Sequence, residues 1–403
     1  MPWLVPGRLT GERVRRIADE RDEPDWLRQR RLDALSALSD HDLPDVIQTP
    51  GRRWTNLAEL DFESLVDPLD QRDETERVDA EGVEVLTFVE ALDEHEAVLQ
   101  AALGSVTPAD TNYLTALSAA LFTTGTFVYV PEGVAAEDVT IRTSVESDSL
   151  FGQTLVVAEE SSSVTILERT SSEPSDAEHR YVSNVVEIVG GENSYVQYGP
   201  LQTLDDDAYH YTLKRADVAR AATASWIEGN VGSRLTRSDV ESELNGDGSE
   251  TKIVGAFFGH EDQHLDVNAR VWHHGEHTTA DLVTRGVLDD TARSVYEGVQ
   301  DVGRDAWDTS SYQRENTLML SDDSEADASP KLIINNHDTE ASHSATVGQV
   351  DREDLFYMTA RSIDPRTARN MLVEGFFVPV LEEIEVDEFR EDLGNLITTR
   401  LRG

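Results

Sequence analysis

Apolar residues recur at helical spacing in the first part of the chain, up to about Leu121. The stretch DWLRQRRLDAL follows Pro24 and has an acidic start. Its helical stripe consists of Trp26, Leu27, Arg30, Arg31, Leu32, Ala34 and Leu35, which is typical of a helix. The stretches EALDEHEAVLQAALG and TNYLTALSAALF also have helical character, and the first should end near Gly104. We therefore assign residues 1–125 to an N-terminal helical region.

Short runs rich in Val, Ile, Thr, Tyr and Phe replace this pattern from about Thr126 to Asn336, and such runs are typical of β-strands. The small polar turns AEESSS, GGENS, NGDGSE and HHGEHT recur between them at loose multiples of about fifteen residues. No helical stretch of useful length interrupts the region, which excludes a βαβ fold with crossover helices. A sandwich, a barrel and a β-solenoid remain, and weak repetition over so long a span favours the solenoid.

Residues 126–338 are therefore predicted to form a β-solenoid core, and the fold class is predicted to be mainly β with helical segments at both ends. A solenoid has to protect its two open ends from pairing with other chains. We expect the flanking helices to act as caps over these ends.

Residues 339–403 are assigned to a C-terminal region, in which helical spacing returns from Asp351 onward. Asp351 should begin one helix, and Asp364 followed by Pro365 is a strong start signal for the next, because Asp caps free amides and Pro suits the first helical position. Pro379 should kink or end that second helix, and Asp387 should cap a last one.

The chain of 403 residues is strongly acidic, with 34 Lys plus Arg against 79 Asp plus Glu and a formal net charge of −45. This charge excludes a general nucleic-acid-binding protein, which needs a basic surface, and it disfavours an anionic membrane surface as partner. Many scattered acids and few Lys residues are typical of a protein adapted to high salt, which screens the self-repulsion. Most of the carboxylates are therefore interpreted as solvating groups.

The chain has no cysteine, which excludes disulfides, thiolate zinc sites and iron–sulfur ligation by its own thiolates. Residues 1–16 contain no apolar signal core. The uncharged stretch from Thr111 to Pro131 divides into a helix-like and a strand-like half, so we interpret it as a buried junction and not as a membrane span. The expected location is the cytoplasm.

The sharpest short motif is His260-Glu261-Asp262-Gln263-His264, which matches the H-E-x-x-H pattern of zinc hydrolases. That pattern binds zinc when a helix places both histidines on one face with the Glu as general base. Here the flanking residues have the alternation of strands, and in a strand residues four apart are about 13 Å apart. A zinc-dependent hydrolase remains an alternative hypothesis.

A second histidine cluster, His273, His274 and His277, lies in a predicted turn, and we interpret it as an exposed polar turn. No phosphate-binding glycine loop and no nucleophile-elbow motif is present. A β-helix carbohydrate-active enzyme, which would use clustered Asp and Arg on one sheet face, is the third hypothesis left open by the sequence.

One long passage in the C-terminal third resembles a known family. Residues 331–384, KLIINNHDTEASHSATVGQVDREDLFYMTARSIDPRTARNMLVEGFFVPVLEEI, resemble the closing region of the SufB/SufD family, the paired scaffold proteins of iron–sulfur cluster assembly. The resemblance is near-continuous from about Thr279 to Leu381 and includes VTRGVLDDTARSVYEG and TSSYQRENTLMLSDDSEADASPKLII. The SufD side of the family is the more similar one, because the chain is short and lacks the thiol that receives sulfur.

The resemblance implies a right-handed parallel β-helix with helical segments at both ends, in agreement with the strand pattern. It implies a scaffold that is not itself an enzyme and that forms a heterodimer with a SufB-type paralogue through the β-helices. A SufC-type ABC ATPase would dock on the C-terminal helices, between Asp351 and Leu381. The resemblance also allows a homodimer of the isolated chain.

One ligand candidate follows from the resemblance. Many bacterial members have Cys-Ser-His-Gly-Ala-Thr at the heterodimer interface, where this chain has Ala341-Ser342-His343-Ser344-Ala345-Thr346. His343 matches the family histidine, and Ala341 replaces the cysteine. Because one imidazole cannot hold a cluster that takes four ligands, an iron–sulfur cluster or iron would bind His343 only transiently, at an interface where the partner supplies the thiolate. The alternative role of His343 is a hydrogen bond across the interface.

Overall fold

The computed structural model describes residues 9–41, 46–49, 52–56, 67–173, 179–384 and 386–402. The helices of this part of the chain are α1 Gly11–Glu20, α2 Asp25–Ala37, α3 Phe88–Glu94, α4 Glu96–Ala102, α5 Tyr113–Leu121, α6 Arg352–Thr359, α7 Pro365–Glu382 and α8 Asp387–Arg402. None of these helices is both long enough and apolar enough to cross a lipid bilayer.

Two nine-stranded sheets make up the centre of the described structure, and an antiparallel hairpin of β1 Val46–Thr49 and β2 Arg52–Asn56 lies outside them. Sheet 1 contains β3 Asp73–Val78, β6 Ala135–Val145, β8 Ser163–Ser172, β10 Tyr195–Thr203, β12 Thr223–Asn230, β14 Glu250–Gly259, β16 Thr279–Leu288, β18 Thr309–Met319 and β20 Thr339–Gln349. Sheet 2 contains β4 Glu84–Thr87, β5 Thr124–Val130, β7 Ser149–Ala158, β9 Arg180–Gly190, β11 Ala208–Val218, β13 Leu235–Leu244, β15 His264–His273, β17 Arg293–Val302 and β19 Glu325–Ile334.

From β5 onward consecutive strands alternate between the two sheets, and the strand pairs of these sheets are parallel except where β3 and β4 pair with β6 and β5. Each coil thus contributes one strand to each sheet, which is the architecture of a β-solenoid. This confirms the predicted fold class, a mainly β solenoid with helices at both ends, and excludes the sandwich and the barrel. The sheets extend beyond the region assigned from sequence, because β3 and β4 precede residue 126 and β20 follows residue 338.

The strand register explains the spacing of the turns. Tyr198 pairs with Trp226 and Trp226 with Ile253, so successive coils are 28 and 27 residues apart and each half-coil is close to the spacing seen in the sequence. The recurring polar turns share a residue with positive φ, namely Ser161, Asn193, Gly248 and His277. Small polar residues and glycine adopt this conformation most readily, which is why these turns recur without a strict motif.

The space between the sheets is filled by columns of inward-facing side chains. One column contains Tyr198, Trp226, Ile253, Leu282 and Gln313, all buried, and every one is the register partner of the next. The coils bury apolar side chains on one another, so neighbouring coils stabilise each other as in other repeat proteins.

The N-terminal helices pack on the outer face of sheet 2. Apolar residues of α2 and α5, including Leu27 and Leu117, share a buried cluster with Phe151 and Tyr181 of the sheet.

The C-terminal helices lie against the outer face of sheet 1. Phe377 of α7 and Phe389 of α8 are buried in one cluster with Leu201 and Ile227 of the sheet. The expectation that the C-terminal helices cap the end of the solenoid is wrong, because their apolar residues are buried on the outer face of sheet 1, against strands β8 to β18. Helix α7 also continues past Pro379 to Glu382.

Candidate functional site at the open end of the solenoid

The last coil of the solenoid has an uncovered outer edge. Strands β19 and β20 end the two sheets, and no strand in the described part of the chain pairs with their outer edges. All residues of both strands are exposed or only partly buried, and Ile333, Ile334 and Val347 are large apolar side chains among the exposed ones. Unpaired backbone groups beside exposed apolar side chains form a surface that another strand can extend.

His343 lies on β20 at an inward-facing position. Its register partner is Gln313 of β18, which belongs to the inward column that includes Leu282 and Ile253. In the inner coils this position is buried, whereas His343 is exposed. The difference arises because no described coil follows β20, so the position that would face the solenoid interior faces solvent instead.

A buried polar layer lies one coil beneath His343. Gln313 and Glu315 of β18 are each 1% exposed. The Gln313 Nε2 donates to the Tyr296 hydroxyl at 3.3 Å, and the Thr317 hydroxyl donates to Glu315 Oε1 at 2.5 Å. Burial raises the pKa of Glu315 to about 7. The other oxygens of these two side chains, Gln313 Oε1 and Glu315 Oε2, have no hydrogen-bond partner.

The three histidines of the HHGEH turn do not converge. His273 is fully buried, with Nδ1 2.8 Å from the Thr278 hydroxyl and Nε2 3.0 Å from the Ser311 hydroxyl, and burial lowers its pKa to about 4. His274 is exposed. His277 is exposed too, and its Nδ1 lies 2.7 Å from an oxygen of Asp308, which raises the pKa of His277.

The H-E-x-x-H motif lies in a turn between two strands. His260 directly follows β14 and His264 begins β15, and Glu261 between them has φ +51°. The Nε2 of His260 contacts the guanidinium of Arg400. The motif therefore lacks the helix that aligns its histidines in zinc hydrolases, in agreement with the strand context predicted from sequence.

A cluster of Asp and Arg does occur on the outer face of sheet 2. The Arg237 guanidinium donates to Asp239 at 2.8 Å and to Asp266 at 2.8 Å. Both carboxylates are mostly buried and each is paired with this guanidinium, so the cluster forms a closed ion-pair network. Such a network lacks the free acid that a carbohydrate-active enzyme needs.

Among the described residues, one group of three His, Asp or Glu side chains has the spacing of metal ligands: Glu84, Glu94 and His95. His95 Nε2 lies 2.9 Å from Glu84 Oε2. This group is in the N-terminal region, on β4 and at the end of α3, and is distant in the fold from the last coil.

Comparison with known proteins identifies the family. Residues 141–376, more than half of the chain, match the family model described as SUF system FeS cluster assembly, SufBD core domain. This chain belongs to the SufBD family. It is 28% identical to the iron–sulfur cluster assembly protein SufD of Bacillus subtilis, over 97% of this chain and 98% of that protein.

Other relatives of the SufBD family match over most of their length. An iron–sulfur cluster assembly SufBD family protein of Staphylococcus saprophyticus is 26% identical over 98% of this chain and 93% of that protein. The iron–sulfur cluster assembly protein SufB of B. subtilis is 29% identical, but over 81% of this chain and 71% of that protein. The predicted resemblance is confirmed, and the chain is an iron–sulfur cluster assembly protein of the SUF system.

A second exposed surface of this SufBD protein lies on its C-terminal helices. Helix α6 contains no buried residue, and its Phe356 and Tyr357 are 73% and 57% exposed. Beside it, α7 and α8 border a groove of about 620 Å³ whose lining includes Met371 and Val378. Aromatic side chains this exposed are typical of a surface that binds another protein.

Sequence reasoning missed the polar layer formed by Gln313 and Glu315. The alternation in SYQRENT shows that Ser311, Gln313, Glu315 and Thr317 share one face of a strand. Polar side chains on one face are normally read as the solvent face, and nothing local indicates that this face is the inner one.

Proposed function

We propose that this chain is a SufD-type scaffold subunit that pairs with a SufB-type paralogue through the open end of its solenoid and is not itself an enzyme. The carrying observation is that His343 occupies an inward-facing position of the last coil and is nevertheless exposed. A partner that covers this end encloses the imidazole between the two subunits.

The chemistry of the chain supports a shared site. The chain has no cysteine, so the thiolates that hold an iron–sulfur cluster come from the partner. Iron or a cluster is the cargo of this system, and it binds transiently, with His343 as this chain's nitrogen ligand. Imidazole is a suitable ligand for iron.

The partner surface combines two features of the last coil. The outer edges of β19 and β20 offer unpaired backbone groups, and Ile333, Ile334 and Val347 provide apolar area beside them. A second solenoid end satisfies both features at once. The same edges allow a homodimer when the chain is isolated, but the net charge of −45 opposes self-association unless salt screens it.

A SufC-type ABC ATPase docks on the C-terminal helices in this proposal. The exposed Phe356 and Tyr357 of α6 and the neighbouring groove beside Met371 and Val378 form the docking surface. Helices α7 and α8 are buried against sheet 1 on their other side, so force from the ATPase is transmitted to the solenoid. The free energy of ATP hydrolysis is thus supplied by a separate chain.

Capture of partners from the native host in its own salt tests the proposal. The tagged full-length chain should retain a longer, cysteine-containing paralogue and an ABC-type ATPase. Val347→Glu should abolish capture of the paralogue and leave the ATPase bound, whereas Phe356→Ala combined with Tyr357→Ala should do the reverse. Val89, an exposed apolar residue of α3, provides the control variant Val89→Glu, which should change neither.

Two outcomes would contradict this assignment. One is a wild-type chain that retains neither partner under conditions in which it is folded. The other is loss of the paralogue in Val89→Glu to the same degree as in Val347→Glu, which would show that added charge and not the position of the residue disrupts the complex.

A further inference from the structure

We propose that Gln313, Glu315 and His343 form a ferrous-iron-binding site at the open end of the solenoid, present in the free chain before any partner docks. We call this set of three residues the end site. The inference deepens the proposed function and rests on it, since that function makes iron the cargo. It adds two oxygen ligands from this chain to the imidazole.

The strand register places the three side chains on one face. Gln313 of β18 pairs with His343 of β20, and Glu315 pairs with Ala345. Residues two apart on a strand point to the same side, and neighbouring strands lie about 4.8 Å apart. The Cα atoms of Glu315 and His343 are therefore diagonal neighbours about 8 Å apart, a separation that long side chains bridge.

Two buried oxygens in this layer lack partners. Glu315 Oε1 accepts from Thr317, but Oε2 accepts from no group, and Gln313 Oε1 is equally without a donor. A buried carboxylate oxygen without a donor is costly, because it loses its hydration and gains nothing in return. A cation bound by both oxygens offsets that cost. These residues therefore fit a bound iron ion, the metal that iron–sulfur cluster assembly requires.

The side chains that the last coil places above these oxygens are small. The residues that the register places over Ser311, Tyr296 and Glu315 are Ala341, Ala328 and Ala345. Methyl side chains at these inward positions cover the polar layer thinly, and the coil above them is absent among the described residues. An ion that approaches from the open end, between β19 and β20, therefore meets methyl groups and no longer side chain at these three positions before it reaches the buried oxygens.

The donor set determines the class of ligand. One imidazole nitrogen, one carboxylate oxygen and one amide oxygen suit a divalent transition metal such as ferrous iron, whereas a cluster needs thiolates that the chain lacks. The remaining coordination positions are filled by water until the partner's ligands replace them. The end site thus binds iron first, and no electron transfer is required for this step.

Anaerobic titration of the full-length chain with Fe²⁺ tests the site, in molar KCl to suppress weak binding by the surface carboxylates. Calorimetry should show one site, and Glu315→Gln and His343→Ala should each weaken it at least tenfold. Glu340→Gln is the matched control, because Glu340 lies on the same strand as His343 but its side chain points to the opposite face of the sheet. His95→Ala controls for the Glu84, Glu94 and His95 group.

Any other result of the titration would contradict the proposed end site. A chain that binds no Fe²⁺ has no preformed site, and a loss confined to His95→Ala places the metal in the N-terminal region. If His343→Ala loses iron and Glu315→Gln does not, the oxygen ligands are wrong while the proposed scaffold function stands, because partner capture tests that function separately. Urea unfolding of Glu315→Gln confirms that the variant is folded.

Discussion

Replacing Glu315 by Gln should stabilise the protein at neutral and alkaline pH. Burial raises the pKa of Glu315 to about 7, whereas a carboxyl in the unfolded chain titrates near 4.5. Between these two values the folded state binds a proton that the unfolded state does not. The part of the folding stability that depends on Glu315 is therefore fully present below about pH 4.5 and is lost as the pH rises through 7. Gln keeps the acceptor for Thr317 and removes the ionisation.

The magnitude follows from the size of the pKa shift. A shift from 4.5 to about 7 corresponds to about 3 kcal/mol of destabilisation at pH 8, since each pKa unit is worth about 1.4 kcal/mol. At pH 5.5, where most of the folded molecules are protonated, the cost falls to about 1.5 kcal/mol by the same relation. The advantage of Glu315→Gln over the wild type should therefore halve between pH 8 and pH 5.5.

Urea unfolding followed by tryptophan fluorescence at these two pH values measures the effect, above the sequence pI of about 4.4. The exposed carboxylate of Glu340 provides the control, and Glu340→Gln should change the free energy of unfolding by less than about 0.5 kcal/mol at either pH. An advantage of Glu315→Gln that is the same at pH 8 and pH 5.5 would refute the reasoning. So would a Glu315→Gln variant that is less stable than the wild type at pH 8.

Three further predictions concern other buried charges. Arg31 donates to Glu23 at 2.6 and 2.7 Å with both side chains buried, so Arg31→Met should cost about 3–5 kcal/mol in urea unfolding. A double variant with Glu23→Leu should recover most of this loss, and no recovery would contradict the pairing. Lys214 Nζ lies 3.0 Å from Glu228 inside the solenoid, and Lys214→Met should cost a similar amount, about 3–5 kcal/mol, unless Glu228→Gln accompanies it. Burial lowers the pKa of His273 to about 4, so as the pH falls the unfolded chain binds a proton at this histidine before the folded chain does. His273 should therefore lower the free energy of unfolding by about 1 kcal/mol between pH 7 and pH 5.5. His273→Gln should remove that part of the slope, and an unchanged slope would rule it out.

The predicted stability cost of Glu315 agrees with a binding role. A carboxylate with an unpartnered oxygen destabilises a core that Gln would suit better, and such residues are retained where they bind something. Iron bound by Oε2 would lower the pKa of Glu315 and return part of the lost stability, because a ligand that binds only the folded state stabilises it. Thermal or urea unfolding with and without Fe²⁺ therefore provides a second, independent test of the role of Glu315.

Local patterns were sufficient for the fold class. Strand-like runs over two hundred residues without a helix leave few architectures, and the recurrence of small polar turns such as AEESSS and GGENS indicated the repeat. The missing cysteine excluded ligation of a cluster by this chain alone. The resemblance around His343 indicated the family, because a long ordered set of matching residues is far more specific than a short motif.

Tertiary structure decided what the local pattern could not. Both faces of many strands are buried here, as in β7, where every residue is buried, so alternation does not show which face is the inner one. Only the pairing of β18 with β20 shows that Gln313, Glu315 and His343 share the inward face. Likewise, amphipathic helices such as α7 and α8 could cover either an end or a face of the solenoid. The sequence by itself determined the repeat length of the solenoid and excluded thiolate ligands from this chain. Packing between residues about thirty positions apart determined which end of the solenoid stays open and which side chains meet there.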